Sequence, residues 1–306
     1  MFRLVQRRRY YFLFSAIIIS LGVAAMIVST IRTGYPFQIG VDFQSGTRFE
    51  VQFLETVDED EIRAVFTDFG ISNPAITSLL GEELENAWQI RTEALSPEEI
   101  DSILATLGEE VAPLNPDVVR VDSVSASVAA EVTRAAFLAI LVAALLILLY
   151  ITFAFRQVPN AVRYGVSAVI AMLHDLTVIF GFISLAGLLF GWEVDALFLT
   201  AALTVAGFSL QDTIIVFDRI RENLRKSPLE DFELLVNRSI LETIHRSLAT
   251  QLNAMFVLGA IMLFGGASIR YFITVLFLGL LSGTYSSIFN AVPILVSWQL
   301  RATEAA

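Results

Sequence analysis

The chain has 306 residues, of which 56% are apolar and only 17% are charged, a composition that excludes an ordinary water-soluble enzyme. It contains no cysteine and two histidines, which excludes disulfides, thiolate catalysis, Cys-ligated metals and an all-His metal site. The net charge of −11 argues against nucleic acid as a partner.

The charge is divided unevenly along the chain. Residues 32–133 hold 20 of the 31 acidic residues but only 5 of the 20 basic ones. One acidic segment inside a basic, apolar remainder is typical of a membrane protein with one exported domain. We therefore divide the chain into 1–34 (cytoplasmic amino terminus and first membrane helix), 35–130 (extracytoplasmic domain) and 131–306 (helices two to six).

Six apolar stretches are long enough to cross a membrane, since roughly 20 helical residues span about 30 Å of hydrocarbon. They lie at 10–31, 135–155, 161–190, 196–217, 247–266 and 271–300. The first is longer than the apolar region of a signal peptide, so we expect a retained helix. Arginines cluster before the first stretch, after the second, after the fourth and after the sixth, which predicts cytoplasmic termini and an extracytoplasmic segment at about 32–133.

The exported segment reads as strand, helix, strand, strand, helix, strand. The predicted strands are 47–53, 76–80, 87–92 and 117–125, and the predicted helices are 58–69 and 97–108. Ser96-Pro97-Glu98-Glu99 is a capping box with proline at the first helical position. The order predicts an α+β domain of the ferredoxin-like (βαββαβ) class, and its acids are typical of solvated helix faces and helix starts.

Ionisable groups inside membrane spans are costly, so each one needs an explanation. His174 and Asp175 lie near the middle of the third span, and Gln211 and Asp212 lie in the fourth. Arg246 opens the fifth span. Because consecutive spans are antiparallel, Asp212 and Arg246 fall at a similar depth and are predicted to form a charge pair.

These groups are suited to proton relay. Protonation of a carboxylate that faces an arginine neutralises one partner and frees the other, and His174 could pass the proton onward. Two structural alternatives stay open: Arg246 could extend its charge to the membrane surface, and His174 with Asp175 could be a hydrogen-bonded pair that packs helices. Gly279 and Gly283, four residues apart, would permit close helix packing.

Several of these segments resemble motifs of the SecF family, in the RND superfamily, over nearly the whole chain. They are Gly40-Val41-Asp42-Phe43-Gln44-Ser45-Gly46, His174-Asp175, Gly207-Phe208-Ser209-Leu210-Gln211-Asp212-Thr213, Phe217-Asp218-Arg219-Ile220-Arg221-Glu222-Asn223, His245-Arg246, Phe264-Gly265-Gly266 and Gly283-Thr284-Tyr285-Ser286-Ser287-Ile288-Phe289. Within them, the resemblance marks Gly40, Asp42, Phe43, Gly46, Asp218, Arg219, Arg221 and Gly283 as structural positions, to which the spacing adds Gly279.

The resemblance implies a multi-pass subunit of the bacterial plasma (inner) membrane that pairs with SecD. The pair would use the proton motive force to assist SecYEG and SecA in preprotein translocation, and the exported domain would meet the preprotein. Asp212 and Arg246 match the family's proton-transport positions. The resemblance implies no enzymatic activity, and no cofactor beyond protons as the coupling ion; lipid is the surrounding medium.

Two positions depart from the family pattern. Gln211 stands where the family usually has asparagine, which puts the role of that amide in doubt. Ser45 replaces a glycine, and we expect the position to tolerate either residue. Asn290, in the last span, occupies a position expected to be apolar.

Two other functions compete with the export motor. A small-molecule efflux component of the same superfamily would need a large exported porter domain, whereas this segment has about 100 residues. A passive scaffold for the translocon would use the buried charges only to fix helix packing.

Overall fold

The computed structural model describes residues 3–71, 74–79, 85–265 and 267–304; Leu80 and Gly266, which belong to a predicted strand and a motif, lie outside them. The elements, in chain order, are α1 (Arg8–Thr33), α2 (Val41–Gln44), β1 (Gly46–Gln52), α3 (Glu59–Asp68), β2 (Ala75–Ser78), β3 (Ala87–Thr92), α4 (Pro97–Thr106), β4 (Arg120–Val124), α5 (Ala126–Ala154), α6 (Ala161–Phe190), α7 (Ala196–Lys226), α8 (Phe232–Phe264), α9 (Ala267–Ser286) and α10 (Val292–Glu304). A 3₁₀ turn precedes α1, and π-helical segments follow α4 and join α9 to α10.

Within the described residues, six helical segments are long and apolar enough to cross a membrane. They agree in number and order with the six predicted stretches. Several are longer than predicted: α5 begins at Ala126, α7 continues to Lys226 and α8 already begins at Phe232. Hydropathy detects only the part of a helix that lies in hydrocarbon, whereas the extensions of α7 and α8 are polar and joined by ion pairs such as Arg219–Glu242.

The small sheet has the order β2-β3-β1-β4, and every neighbouring pair of strands is antiparallel. Period-two alternation predicted the first and last strands. Alternate residues of β1 are buried, whereas no residue of β2 or β4 is buried. Phe49 and Val51 of β1 and Ile90 of β3 point into a core that Ile62 and Phe66 of α3 complete. The regular elements between 46 and 124 therefore follow the predicted order of strands and helices, with the π-helical segment Leu107–Val111 after the second helix.

The predicted start of α4 is confirmed. The Ser96 hydroxyl accepts the N–H of Glu99 at 3.4 Å, and the Glu99 carboxylate accepts the Ser96 N–H at 2.8 Å. The hydrogen bonds from the backbone and the hydroxyl of Ser96 lower the pKa of Glu99. This reciprocal cap satisfies two backbone N–H groups that a helix start leaves without partners.

The chain forms two compact units. One comprises Met1–Phe37, Leu138–Leu185 and Leu197–Ala306, which hold most of the long helices; the other comprises Gln38–Phe137 and Ala186–Ala196. The sheet unit thus includes the α6–α7 connection in addition to the exported segment. The domain boundaries 1–34, 35–130 and 131–306 stay a prediction.

Candidate functional site

Asp175 lies fully buried at the centre of the helical unit and accepts hydrogen bonds from three helices. One carboxylate oxygen accepts the hydroxyls of Ser209 and Ser286, each at 2.6 Å. The other oxygen contacts the Ser282 hydroxyl at 2.7 Å and Nδ1 of His174 at 3.1 Å. A carboxylate has about four acceptor positions, so these four groups occupy all of them. Asp175 consequently ties α6, α7 and α9 together.

The Gly-Thr-Tyr-Ser-Ser-Ile motif of α9 provides this arrangement. Ser286 donates to Asp175, and Ser287 donates to the Ser209 carbonyl of α7 at 2.9 Å. Gly283 lets the two helices approach, because a Cβ there would lie 3.3 Å from the Ser209 Cα. The motif is therefore a helix-packing surface built around a buried carboxylate.

Asp212 is the second buried acid, 1% exposed, one helical turn after Ser209 on α7. Its Oδ2 accepts the Gln251 side-chain N–H of α8 at 2.7 Å. Its Oδ1 has no hydrogen-bond partner within the part of the chain that the structure describes. A buried carboxylate oxygen without a donor is costly, so Asp212 differs from Asp175 in having an acceptor position left for a proton.

The predicted charge pair between Asp212 and Arg246 is absent from the described structure. Arg246 is exposed, whereas Gln251, five residues later, faces the carboxylate. Five residues turn an α-helix by about 140° beyond a full circle, so the two side chains project from different faces of α8. The match of Arg246 to the family's proton-transport position stays a prediction.

Polar side chains follow the buried face of α8 at every fourth position, a feature that our sequence analysis missed. They are Ser239, Thr243, Ser247 and Gln251. The Ser247 hydroxyl is buried and interacts with the Asp212 carboxylate, although neither Ser247 Oγ nor Asp212 Oδ1 makes a hydrogen bond of good geometry among the described residues. A spacing of four places residues on one helix face, so this polar stripe was readable in the sequence. This stripe ends at Gln251, which donates a hydrogen bond to Asp212.

Gln211 and His174, both predicted to take part in proton relay, differ in burial. Gln211 is exposed, because the next residue on a helix is rotated by about 100° and Asp212 takes the buried position. His174 is buried; its Nδ1 contacts Asp175, and its Nε2 lacks a partner among the described residues. The structure therefore brings His174, but not Gln211, against a buried acid.

Charged residues at the end of α7 form a network. Asp218 pairs with Arg221, and Arg219 pairs with Glu222 at 2.5 Å and with Glu242 of α8 at 2.6 Å. The network joins the polar ends of α7 and α8, which gives the Asp-Arg-Ile-Arg-Glu sequence a structural role.

In the sheet unit, the segment from Gly40 to Gly46 contacts the α6–α7 connection. The Gly40 N–H donates to the Val194 carbonyl at 2.8 Å, and Asp42 accepts the N–H of Ala196, the first residue of α7, at 2.9 Å. Asp42 therefore caps a membrane helix from a distant part of the chain. The Phe43 carbonyl accepts the hydroxyl of Thr133 at 3.2 Å.

The structure accounts for two residues that are unexpected at their positions, Ser45 and Asn290. Ser45 has φ 64° and ψ 158°, a conformation that strongly favours glycine, so the expectation that this position tolerates either residue was wrong about strain. Asn290 exchanges hydrogen bonds of 2.9 and 3.0 Å with the buried Ser15 hydroxyl of α1. The amide thus holds the first helix of the chain to the last span.

Comparisons with known proteins agree with this structure. The family model described as "Protein export membrane protein SecD/SecF, C-terminal" matches residues 103–301. The SecF protein translocase subunit of Anaerolinea thermophila is 42% identical, covering 94% of this chain and 92% of the relative. That of Thermobaculum terrenum is 40% identical, covering 98% and 94%.

A solved structure has the same fold. The crystal structure of SecDF, a translocon-associated membrane protein from Thermus thermophilus, matches 98% of this chain with a TM-score of 0.82 and 27% identity. This chain spans 39% of that SecDF chain. Six membrane-competent helices and these relatives identify a multi-pass membrane protein, and the chain belongs to the SecF family of protein translocase subunits.

Proposed function

We propose that the chain pairs with SecD in the bacterial plasma membrane and uses the proton motive force to assist SecYEG- and SecA-dependent preprotein translocation. The observation that carries the proposal is Asp212, a buried membrane carboxylate with one oxygen held by Gln251 and the other without a donor. An intramembrane acid of this kind is typical of proton pathways.

The two buried acids would have different tasks. Oδ1 of Asp212 can take a proton while Oδ2 keeps its hydrogen bond from the Gln251 amide. Protonation removes the negative charge that faces α8 at this point. Asp175 has every acceptor position filled, so its task would be to anchor three helices. His174 would pass protons only if its free Nε2 meets a further group.

The polar stripe of α8 would supply the route to Asp212. Ser239, Thr243 and Ser247 lead along one buried face toward Gln251, and the Ser247 hydroxyl interacts with the Asp212 carboxylate, to which it could pass a proton. The chemistry would be proton transfer alone, with no covalent catalysis and no cofactor. Arg246, on the exposed face, would act through a group that another chain supplies.

The remaining assignments follow from charge and topology. The arginine clusters support cytoplasmic termini and an extracytoplasmic acidic segment at about 32–133. The antiparallel order β2-β3-β1-β4 with two helices supports the ferredoxin-like class, and this domain would meet the emerging preprotein. The solved SecDF chain is more than twice as long, which supports a second half contributed by SecD.

The first experiment follows completion of a trapped translocation intermediate in inverted vesicles that hold the channel, the motor ATPase, SecD and this chain. We expect a proton gradient to accelerate completion with wild type and to have no effect with Asp212→Asn. Gln211→Asn, an adjacent substitution on the exposed face, is the matched control and should keep the acceleration. If the gradient still accelerates completion in Asp212→Asn while the complex stays assembled, the proton-coupled role of this chain is wrong and the passive-scaffold hypothesis takes its place.

A second substitution tests the route. Ser247→Ala removes the buried hydroxyl without adding volume, and we expect a slower gradient-dependent step with unchanged assembly. Thr250→Ala, on the exposed face of the same helix, should leave the step unchanged. Equal rates for both variants would show that protons reach Asp212 by another path.

A further inference from the structure

A basic cavity lies where α5 ends and the last turns of α7 pass, within the helical unit. It has a volume of about 340 Å³ and is lined by Phe153, Ala154, Arg156, Gln157, Arg221 and Arg225. Three of the six lining residues are arginines, and none is acidic. We propose that this cavity binds a phosphate group, carried by the headgroup of an anionic membrane lipid.

The charges of the cavity are largely available. Arg221 pairs with Asp218 of its own helix. Neither Arg156 nor Arg225 forms an ion pair with any carboxylate that the structure describes. Two uncompensated guanidinium groups in one cavity repel each other, and an anion between them removes that cost. The planar, forked guanidinium binds phosphate oxygens in pairs, which favours a phosphate group over a simple halide.

The cavity is held open by rigid neighbours. Arg221 donates to the Ala154 carbonyl at 3.2 Å, at the end of α5, and its guanidinium lies 5.3 Å from the Phe155 ring. Phe155 is buried and stacks on Tyr164 at 5.4 Å between ring centres. Because these groups are packed, the wall of the cavity around Arg221 needs little reorganisation on binding.

The position along the helices identifies a lipid as the source of the phosphate. The candidate span of α5 ends at Ala154, and Arg156 follows two residues later. Phe153 is 65% exposed at this end, and the Arg156 guanidinium lies 4.3 Å above its ring. An exposed aromatic beside arginines at the end of a span is typical of the headgroup layer, where basic pockets hold anionic lipids. This inference concerns a site apart from Asp212 and holds whether or not proton coupling is confirmed.

The test is native mass spectrometry of the full chain in detergent, titrated with phosphatidylglycerol or with zwitterionic phosphatidylcholine. The double variant Arg156→Gln/Arg225→Gln should weaken phosphatidylglycerol binding by roughly 10- to 30-fold. This is the effect expected when two basic residues that each contribute to binding of an anionic lipid are removed. Arg7→Gln/Arg9→Gln removes the same charge from exposed positions outside the cavity and should change binding little. Thermal unfolding midpoints show whether each variant is folded.

Three outcomes would overturn the proposal. Equal weakening in both double variants would mean general surface attraction and not a site. Displacement of the lipid by inorganic phosphate at equal concentration would identify a soluble anion as the ligand. Unchanged lipid binding in a folded Arg156→Gln/Arg225→Gln chain would show that the cavity does not bind the lipid phosphate.

Discussion

At the scale of single residues, the boundary between α2 and β1 stores backbone strain. Ser45 occupies a region of φ and ψ that is essentially reserved for glycine. Gly46 has φ 131°, and a Cβ there would lie 2.5 Å from the Thr92 carbonyl oxygen. The two neighbours therefore respond to substitution in opposite directions.

Ser45→Gly should stabilise the sheet unit by about 1 kcal/mol, because strain is relieved. Gly46→Ala should destabilise it by about 2 kcal/mol, because the methyl group meets a backbone oxygen and the positive φ disfavours it. The measurement is the opening free energy from amide exchange of β1 and β3 in the full chain. Ser45→Ala keeps a Cβ and serves as the control, and a stability gain equal to that of Ser45→Gly would exclude backbone strain as the cause.

At the scale of elements, α7 and α9 pack through a glycine. A Cβ at Gly279 would lie 2.1 Å from the Val205 side chain, whereas a Cβ at Gly259 of α8 would meet nothing within 4 Å. Gly279→Ala should lower the thermal stability of the helical unit, by about 1–3 kcal/mol, and Val205→Ala in the same chain should restore part of the loss. Gly259→Ala is the matched control and should be neutral or slightly stabilising. If Val205→Ala does not restore stability to the Gly279→Ala chain, the added methyl group clashes with a residue other than Val205.

The connection between α6 and α7 is tied to the sheet by a buried carboxylate. Glu193 pairs with Arg91 at 3.0 Å, lies 3.7 Å from Arg48 and accepts the Gln89 amide at 2.6 Å. The contact fixes this connection to β1 and β3 within the sheet unit. We infer that Glu193 positions the connection rather than taking part in proton transfer.

Glu193→Ala should lower the opening free energy at the N–H of Val194, which bonds to the Gln38 carbonyl at 2.7 Å, by about 1 kcal/mol, because the hydrogen bond from Gln89 and the contact with Arg91 are lost while Arg48 keeps Asp122. The exposed Glu93→Ala should have no such effect. Amide exchange of Val194 measures both. An equal effect of the two substitutions would show that only the net charge of the unit matters.

The same contact predicts a pH dependence. Burial raises the pKa of Glu193 above its ordinary value of 4.5, although the charges of Arg91 and Arg48 act in the opposite direction. When the loop opens, the carboxyl loses its proton at a lower pH than in the closed state, so the stability of the contact falls as the pH rises through the interval above 4.5. Glu193→Gln should remove this dependence at Val194, and an identical pH profile in that variant would assign it to another group.

At the scale of the whole molecule, polar side chains are exposed within membrane spans. Gln211 of α7 and Arg246 and Asn253 of α8 are exposed in this chain. Polar groups rarely face lipid, so we expect SecD to cover this face. The face contrasts with α5, where exposed residues such as Leu145 are apolar.

Because the chain has no cysteine, single cysteines can map the covered face. Gln211→Cys and Asn253→Cys should cross-link to SecD in membranes, and Leu145→Cys should react with a lipid-soluble probe instead. Stronger cross-linking from Leu145→Cys would move the partner to α5 and leave the polar groups facing lipid or water.

The sequence by itself determined the number and order of the membrane helices, the strands of the exported segment and the capping box at Ser96. These features depend on local periodicity and on hydrophobicity, which a single segment carries. It also determined that His174, Asp175 and Asp212 lie within membrane spans, because an ionisable residue inside an apolar stretch is visible without knowing its neighbours.

Only the tertiary structure decided which groups meet. Hydrogen bonds of Asp175 join residues more than 30 and more than 100 positions apart, and nothing local indicates them. Depth alone suggested Arg246 as the partner of Asp212, but the rotation of α8 about its axis presents Gln251 instead. That rotation, like the strain at Ser45 and the pairing of Asn290 with Ser15, is set by the packing of several helices or strands together, which no single segment specifies.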